Sequence, residues 1–142
     1  MPAQTPHDIA QQLIADAPTR AWLRALADDL DRELRTDPLE RFLALWGLSG
    51  AEAGRAFAVS RQALAKWRQS GVPSDRVAAL TDLATATDLL DRYVKRERIP
   101  AVVRRPVDNL GGRSLLDLAF EGRHSELRNT VVAMFDLRRV QP

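Results

Sequence analysis

The sequence predicts an all-α protein, and three observations carry that expectation. Apolar residues return at intervals of three and four along most of the chain, the repeat of a helix with one buried side. Serines able to cap a helix stand at Ser49, Ser60, Ser74, Ser114 and Ser125, each just ahead of such a stretch. No segment keeps the alternation of a half-buried strand. The short run Ala101-Val102-Val103 would have nothing to pair with and reads as loop.

Taken in order, Pro2 and Pro6 make the first residues poor structure formers. Asp8 to Ala17 fits a short helix with Ile9, Leu13 and Ile14 along one side, interrupted by Pro18-Thr19. From Arg20 to Arg35, Trp22, Leu23, Leu26, Leu30 and Leu34 form a stripe, and the outer face carries Asp28, Asp29, Asp31 and Glu33. Such a stripe either packs on the helical unit that follows it or pairs with its copy in a dimer, and packing is the favoured expectation because interior faces are the commoner fate of such stripes. Asp37-Pro38 is a helix-start signal, a capping side chain followed by proline in the first turn. Leu39, Phe42, Leu43 and Trp46 give that helix its buried side.

Ser49 and Glu52 have the spacing of a capping box, so the next helix starts at Gly50 or Ala51, with Ala53 and Phe57 on one face. Ser60 caps its successor, in which Leu64 and Trp67 face inward. After the break Val72-Pro73-Ser74-Asp75, Ser74 to Arg98 reads as one long helix with Val77, Leu80, Leu83, Thr87, Leu90 and Val94 in a stripe, ended by Ile99-Pro100. Pro100 to Gly112 reads as irregular. Ser114 caps a short helix, Leu115–Glu121, stopped by Gly122. Ser125 caps a last helix in which Leu127, Val131, Val132, Met134, Phe135 and Leu137 are buried candidates. Trp22, Trp46 and Trp67 lie on apolar faces and are expected as core anchors rather than base-stacking platforms.

A chain of 142 residues has room for one domain or two very small ones. No run approaches the roughly 18 apolar residues of a membrane span. The start MPAQTPHDIAQQ lacks a basic region followed by an apolar block, so a cytoplasmic protein without membrane contact is expected. Cysteine is absent, which excludes disulfides and thiolate chemistry. His7 and His124 have no spaced partner for a metal. The pairs Asp28/Asp31 and Asp88/Asp91 are flanked by arginine and read as solvated faces. No catalytic residue, metal or cofactor is expected, and hence no enzyme.

Net charge is only +2, but it is unevenly spread. Residues 1–36 carry four basic and six acidic side chains, and residues 37–73 carry five and three. Between Glu52 and Asp75 no acidic residue occurs, while Arg55, Arg61, Lys66 and Arg68 do. A local basic patch on a near-neutral chain suits sequence-specific DNA binding. Within LSGAEAGRAFAVSRQALAKWRQSG, from Leu48 to Gly71, the outer face of the second helix carries Arg61, Gln62, Lys66 and Gln69. Cations there neutralise phosphates, while arginine and glutamine offer paired groups to base edges.

VSRQALAKWRQSG resembles the turn and recognition helix of Xre-type helix-turn-helix regulators. The resemblance implies that Gly54 fills the small position where the helices cross and that Ser60, Arg61, Gln62, Lys66 and Gln69 face DNA, with Arg68 a candidate phosphate contact. The turn position usually held by glycine is Ala58; a positive φ there would cost about 1 kcal/mol and could reshape the turn.

The stretch NLGGRSLLDLAFEGRHSELRNTVVAMF is similar to the toxin-binding domain of Xre/MbcA/ParS antitoxins, through Leu110, Gly112, Ser114, Leu116, Asp117, Leu118 and Gly122. Leu115 stands where that family commonly has proline, and the glycine many members carry beyond the last helix is missing. The resemblance implies an Xre-like helix-turn-helix bundle followed by a small helical toxin-binding domain. It also implies a RES-domain toxin that consumes NAD and whose active site is covered, operator DNA of the chain's own operon, and a homodimer. Gly112, Ser114 and Asp117, together with Arg113, Arg123, Arg128, Arg138 and Arg139, are the toxin-binding candidates. The expected division is 1–36 helical extension, 37–73 DNA-binding domain, 74–99 connecting helix and 100–142 toxin-binding domain. The alternatives are a free-standing regulator or phage-type repressor whose C-terminal helices only dimerise, and an interaction module that has lost DNA binding.

Overall fold

A computed structural model describes residues 5–9 and 20–140, with the side chains of 33–36 and 137–140 undescribed. Residues 6–9 are helical, and the rest of the helix expected from Asp8 to Ala17 falls outside the described residues, as do the side chains of Leu34 and Leu137. The helices are α1 (Arg20–Trp46), α2 (Gly50–Phe57), α3 (Arg61–Ser70), α4 (Val77–Tyr93), α5 (Ile99–Arg104), α6 (Leu115–Phe120) and α7 (His124–Val140). No strand occurs among the described residues.

Helix α1 continues through Asp37-Pro38, where the sequence predicts a new start. A helix beginning at Pro38 would leave its first N–H groups without intrahelical acceptors. Continuing the preceding turn gives Leu39, Glu40 and Arg41 carbonyls to bond, and only the proline position lacks a donor.

The C-terminal end of α1 anchors the core. Leu39, Phe42, Leu43 and Trp46 are buried. Edge-on aromatic contacts then run from Trp46 to Phe42 at 4.8 Å, Phe42 to Phe57 at 5.9 Å and Phe57 to Trp67 at 5.5 Å. The indole N–H of Trp46 donates to Thr87 Oγ1 at 3.1 Å, and that hydroxyl donates to the Leu83 carbonyl at 2.7 Å, so the buried polar groups are satisfied.

Helix α4 lies along both α1 and α7 and buries Leu80, Leu83, Thr87 and Leu90 of the expected stripe together with Ala86, while Val77 and Val94 at its ends are only partly buried. Its ends differ from expectation. Ser74 to Arg76 form a 3-10 turn with no side-chain cap, and the helix stops at Tyr93, where Val94 turns extended. Pro100 does not break a helix but occupies the first turn of α5, where its fixed φ fits and its missing N–H is no loss. Residues 101–103, expected as loop, are therefore helical, and Ile99 and Val103 are fully buried.

Arg104 closes the end of α1 by donating to the carbonyls of Trp46 at 2.9 Å and Gly47 at 3.2 Å, and it also reaches Glu52. In α7, Leu127, Val131 and Phe135 are buried, and Tyr93 stacks on Phe135 at 4.7 Å. Met134, expected inside, is exposed. Ser125 lies inside the first turn of α7 rather than capping it, because that helix starts at His124. The buried cluster is continuous from Leu39 to Phe135.

The N-terminal half of α1 corrects two expectations. Its stripe does not pack on the protein, and Trp22, Leu23, Leu26 and Leu30 are exposed. Trp22 is thus no core anchor, whereas Trp46 and Trp67 are. The helix is about 40 Å long, and among the described side chains of α1 the buried ones begin at Leu39, so its first turns reach past the core.

Candidate functional site

The first candidate face is built from α2, its turn and α3. Ser49 Oγ accepts the Glu52 N–H at 3.2 Å and Glu52 accepts the Ser49 N–H at 3.0 Å, a complete capping box that fixes the start of α2. That backbone hydrogen bond, and then Arg104, hold the Glu52 carboxyl below the usual glutamate range. At the other end Ala58 takes φ 55 and ψ 43, the left-handed conformation usually given to glycine. Its N–H bonds the Arg55 carbonyl, and the Val59 N–H bonds that of Gly54. A Cβ on Gly54 would lie 2.7 Å from the Val59 carbonyl oxygen, so the close crossing needs glycine.

Ser60 caps α3 by accepting the Ala63 N–H at 3.1 Å. Because the hydroxyl acts there as acceptor, its proton is left to donate outward. Leu64 and Trp67 turn into the core. Arg61, Gln62, Lys66, Arg68 and Gln69 are all exposed on the outside of α3. Among the described residues no ion pair holds Arg61 or Lys66. Arg68 differs, since its guanidinium grips Glu40 of α1 through Nε–Oε1 at 2.5 Å and Nη2–Oε2 at 2.7 Å. The Arg68 hydrogen bond pulls Glu40 down from its ordinary pKa, against the effect of burial. Arg55 leaves the basic face altogether and lies over the Phe120 ring at 4.1 Å.

The second candidate face lies at the start of α6 and α7. Gly111 and Gly112 have φ of 68 and 83, and the Val107 N–H bonds the Arg113 carbonyl, which closes the turn ahead of α6. Ser114 is buried and forms a capping box with Asp117, accepting at 3.1 Å and donating its own N–H at 2.9 Å. These two side chains serve the fold, so the sequence expectation that they meet a partner has a structural competitor.

Arg113 and Arg123 both bond Glu121, at 2.7 and 3.0 Å, and Arg123 also grips Glu126. The two arginines hold the Glu121 carboxyl low, Arg113 first. Arg128 pairs with Asp82 at 2.6 Å and ties α7 to α4. Gly112, Arg113, Glu121 and Glu126 are exposed, a surface of alternating charge rather than a basic one. The side chains of Arg138 and Arg139 lie outside the described residues.

Sequence reasoning missed the contact that joins the two faces and the partners that tie α4 to α1. His124 Nε2 lies 2.8 Å from the Ala56 carbonyl, linking α7 to α2. Arg41 bonds Asp88 and Asp91, and Asp91 also accepts from Arg96, so the carboxylates expected on a solvated salt-bridge face do pair with arginine, and through Arg41 they tie α4 to α1. Residues distant in sequence make these contacts, and no local spacing announces them. Among the described residues no group of three histidines or acids could hold a metal ion, and no helix is long and apolar enough to cross a membrane.

No family model matches the chain, and no curated protein does. Among solved structures, it shares its fold with a chain of the crystal structure of the M. tuberculosis MbcT–MbcA toxin–antitoxin complex. The TM-score is 0.56 and the identity 23 %, and the match covers 70 % of this chain and 91 % of that one.

Proposed function

We propose that this chain is the antitoxin of a RES–Xre type toxin–antitoxin pair. It neutralises a cognate RES-domain toxin by covering its active site with the segment from Gly112 onward. Through α3 it binds promoter DNA of its own operon, as a homodimer. The observation that carries the reading is α3 itself: a capped helix with its apolar side in the core and Arg61, Gln62, Lys66 and Gln69 outside. The fold shared with a chain of a toxin–antitoxin complex supports the toxin-binding half.

Co-expression tests the first part. Growth arrest by a RES-domain protein encoded beside this chain is expected to be relieved, and arrest left untouched would refute the antitoxin role. Gel shifts on the upstream region test the second. Arg61→Ala and Gln62→Ala are each expected to reduce discrimination between operator sequences by about 1–3 kcal/mol. No retention at low salt would instead favour an interaction module without DNA binding.

A further inference from the structure

The run RYVKRERIPAVVRR, from Arg92 to Arg105, carries six basic side chains against one acid, Glu97, a stronger bias than that around α3. The structure sorts these cations. Arg96 bonds Asp91, and Arg104 bonds Glu52. Among the described residues no ion pair holds Lys95, Arg98 or Arg105, and all three line one hollow of about 470 Å³ at the C-terminal end of α4. Glu97 does not line it. Tyr93, Val94, Ala101 and Val102 supply the rest of the lining. Tyr93 also stacks on Phe135, so one wall of the hollow rests on α7.

On α5, Ile99 and Val103 face the core. Pro100 and Arg104 lie on the flank toward Trp46 and Gly47, and Ala101 and Val102 lie on the other. The start of α3 is reached past the first flank, where Arg61 Nε is 3.7 Å from a Cβ built on Gly50. A duplex seated on α3 therefore approaches the side of α5 away from the hollow. A free inorganic anion would leave the apolar lining uncovered. Cations around an apolar floor instead match a peptide bearing carboxylates: each arginine grips a carboxylate in its fork, while the aliphatic parts of the peptide cover Val94 and Val102. We propose that this hollow receives an acidic segment of the toxin, a contact additional to that of the segment from Gly112 onward. It rests on the antitoxin reading above and adds the chemistry of the surface the toxin presents here.

Surface-immobilised binding of the full chain to the purified RES-domain protein encoded beside it tests this. The wild type is expected to bind. Arg98→Glu combined with Arg105→Glu should lower affinity at least about tenfold at low salt, through slower association, and the loss should shrink as salt is raised. Lys95→Glu, on the opposite wall, should act in the same direction. Melting, and the gel shift on the upstream DNA, should match the wild type, because all three residues are exposed and outside α3. Ala101→Cys, the sole thiol in the chain, is expected when labelled with a benzophenone to cross-link to a toxin peptide containing Asp or Glu. Reversing those toxin charges should restore binding to the double variant. No binding by the wild type overturns the antitoxin reading and the hollow's partner together. Affinity unchanged in both the double variant and Lys95→Glu overturns the hollow alone and leaves the antitoxin role standing. A gel shift lost in those variants while toxin affinity holds assigns the hollow to DNA and overturns it as well.

Discussion

Ala58 holds φ 55 with a Cβ, so the turn between α2 and α3 keeps the left-handed geometry that glycine normally provides. The expected result of Ala58→Gly is a gain of about 0.5 kcal/mol, the relief of left-handed strain less the extra freedom glycine has in the unfolded chain. Urea unfolding measures it. Gly54 is the opposite case. Its Cβ position lies 2.7 Å from backbone oxygen, not from a flexible side chain, so the turn itself would have to move. Gly54→Ala is expected to destabilise by about 1–3 kcal/mol in the same measurement. That Gly54 fills the crossing position was legible through the family resemblance, because it follows from the local sequence. The positive φ of Ala58 was legible only as a condition, since nothing local shows whether a turn has been reshaped.

At the scale of elements, α3 carries a cation that is both exposed and occupied. Glu40 holds Arg68 by two hydrogen bonds, so under the proposed DNA binding a phosphate would have to compete for that guanidinium. Glu40→Gln removes a negative charge beside α3 and releases Arg68. Binding to all DNA sequences is then expected to tighten alike, with the salt dependence steeper by roughly one unit, while Arg68→Ala weakens all alike and flattens it by as much. Titrating affinity against salt separates the two outcomes.

Some helix punctuation was readable from sequence: Ser49 with Glu52, Ser60 and Ser114 cap as expected, whereas Ser74 and Ser125 do not. Prolines were not. Pro38 reads locally as a helix start and Pro100 as a helix end, yet the first sits inside a 27-residue helix and the second in the first turn of a short one. The choice depends on which carbonyls the neighbouring chain offers, which is tertiary information. The stripe of Trp22 to Leu30 was visible as a pattern, but a pattern alone does not say whether the protein covers it.

For the molecule as a whole, the buried cluster among the described residues runs from Leu39 to Phe135. Charge pairs stitch the outside of the same body. Glu40, Glu52, Asp91 and Glu121 are each held below their ordinary pKa, by Arg68, by the Ser49 N–H, by Arg96 and by Arg113 respectively. A carboxyl whose folded pKa is depressed contributes stability above its unfolded pKa and loses it as pH falls through the folded one. Stability is therefore expected to stay level from neutral pH down to about pH 5 and to decline between about pH 5 and 3, read as the urea midpoint against pH. The decline should be shallow, because these groups are largely solvated and each pair is worth little.

The three indoles differ in their surroundings: Trp46 and Trp67 lie in the core, the second on the inner side of α3, and Trp22 is partly exposed on α1. The chain thus carries intrinsic optical labels. An aqueous quencher should extinguish the red-shifted emission of Trp22 and spare the other two, so that light alone can follow what happens to α1 separately from what happens to the fold.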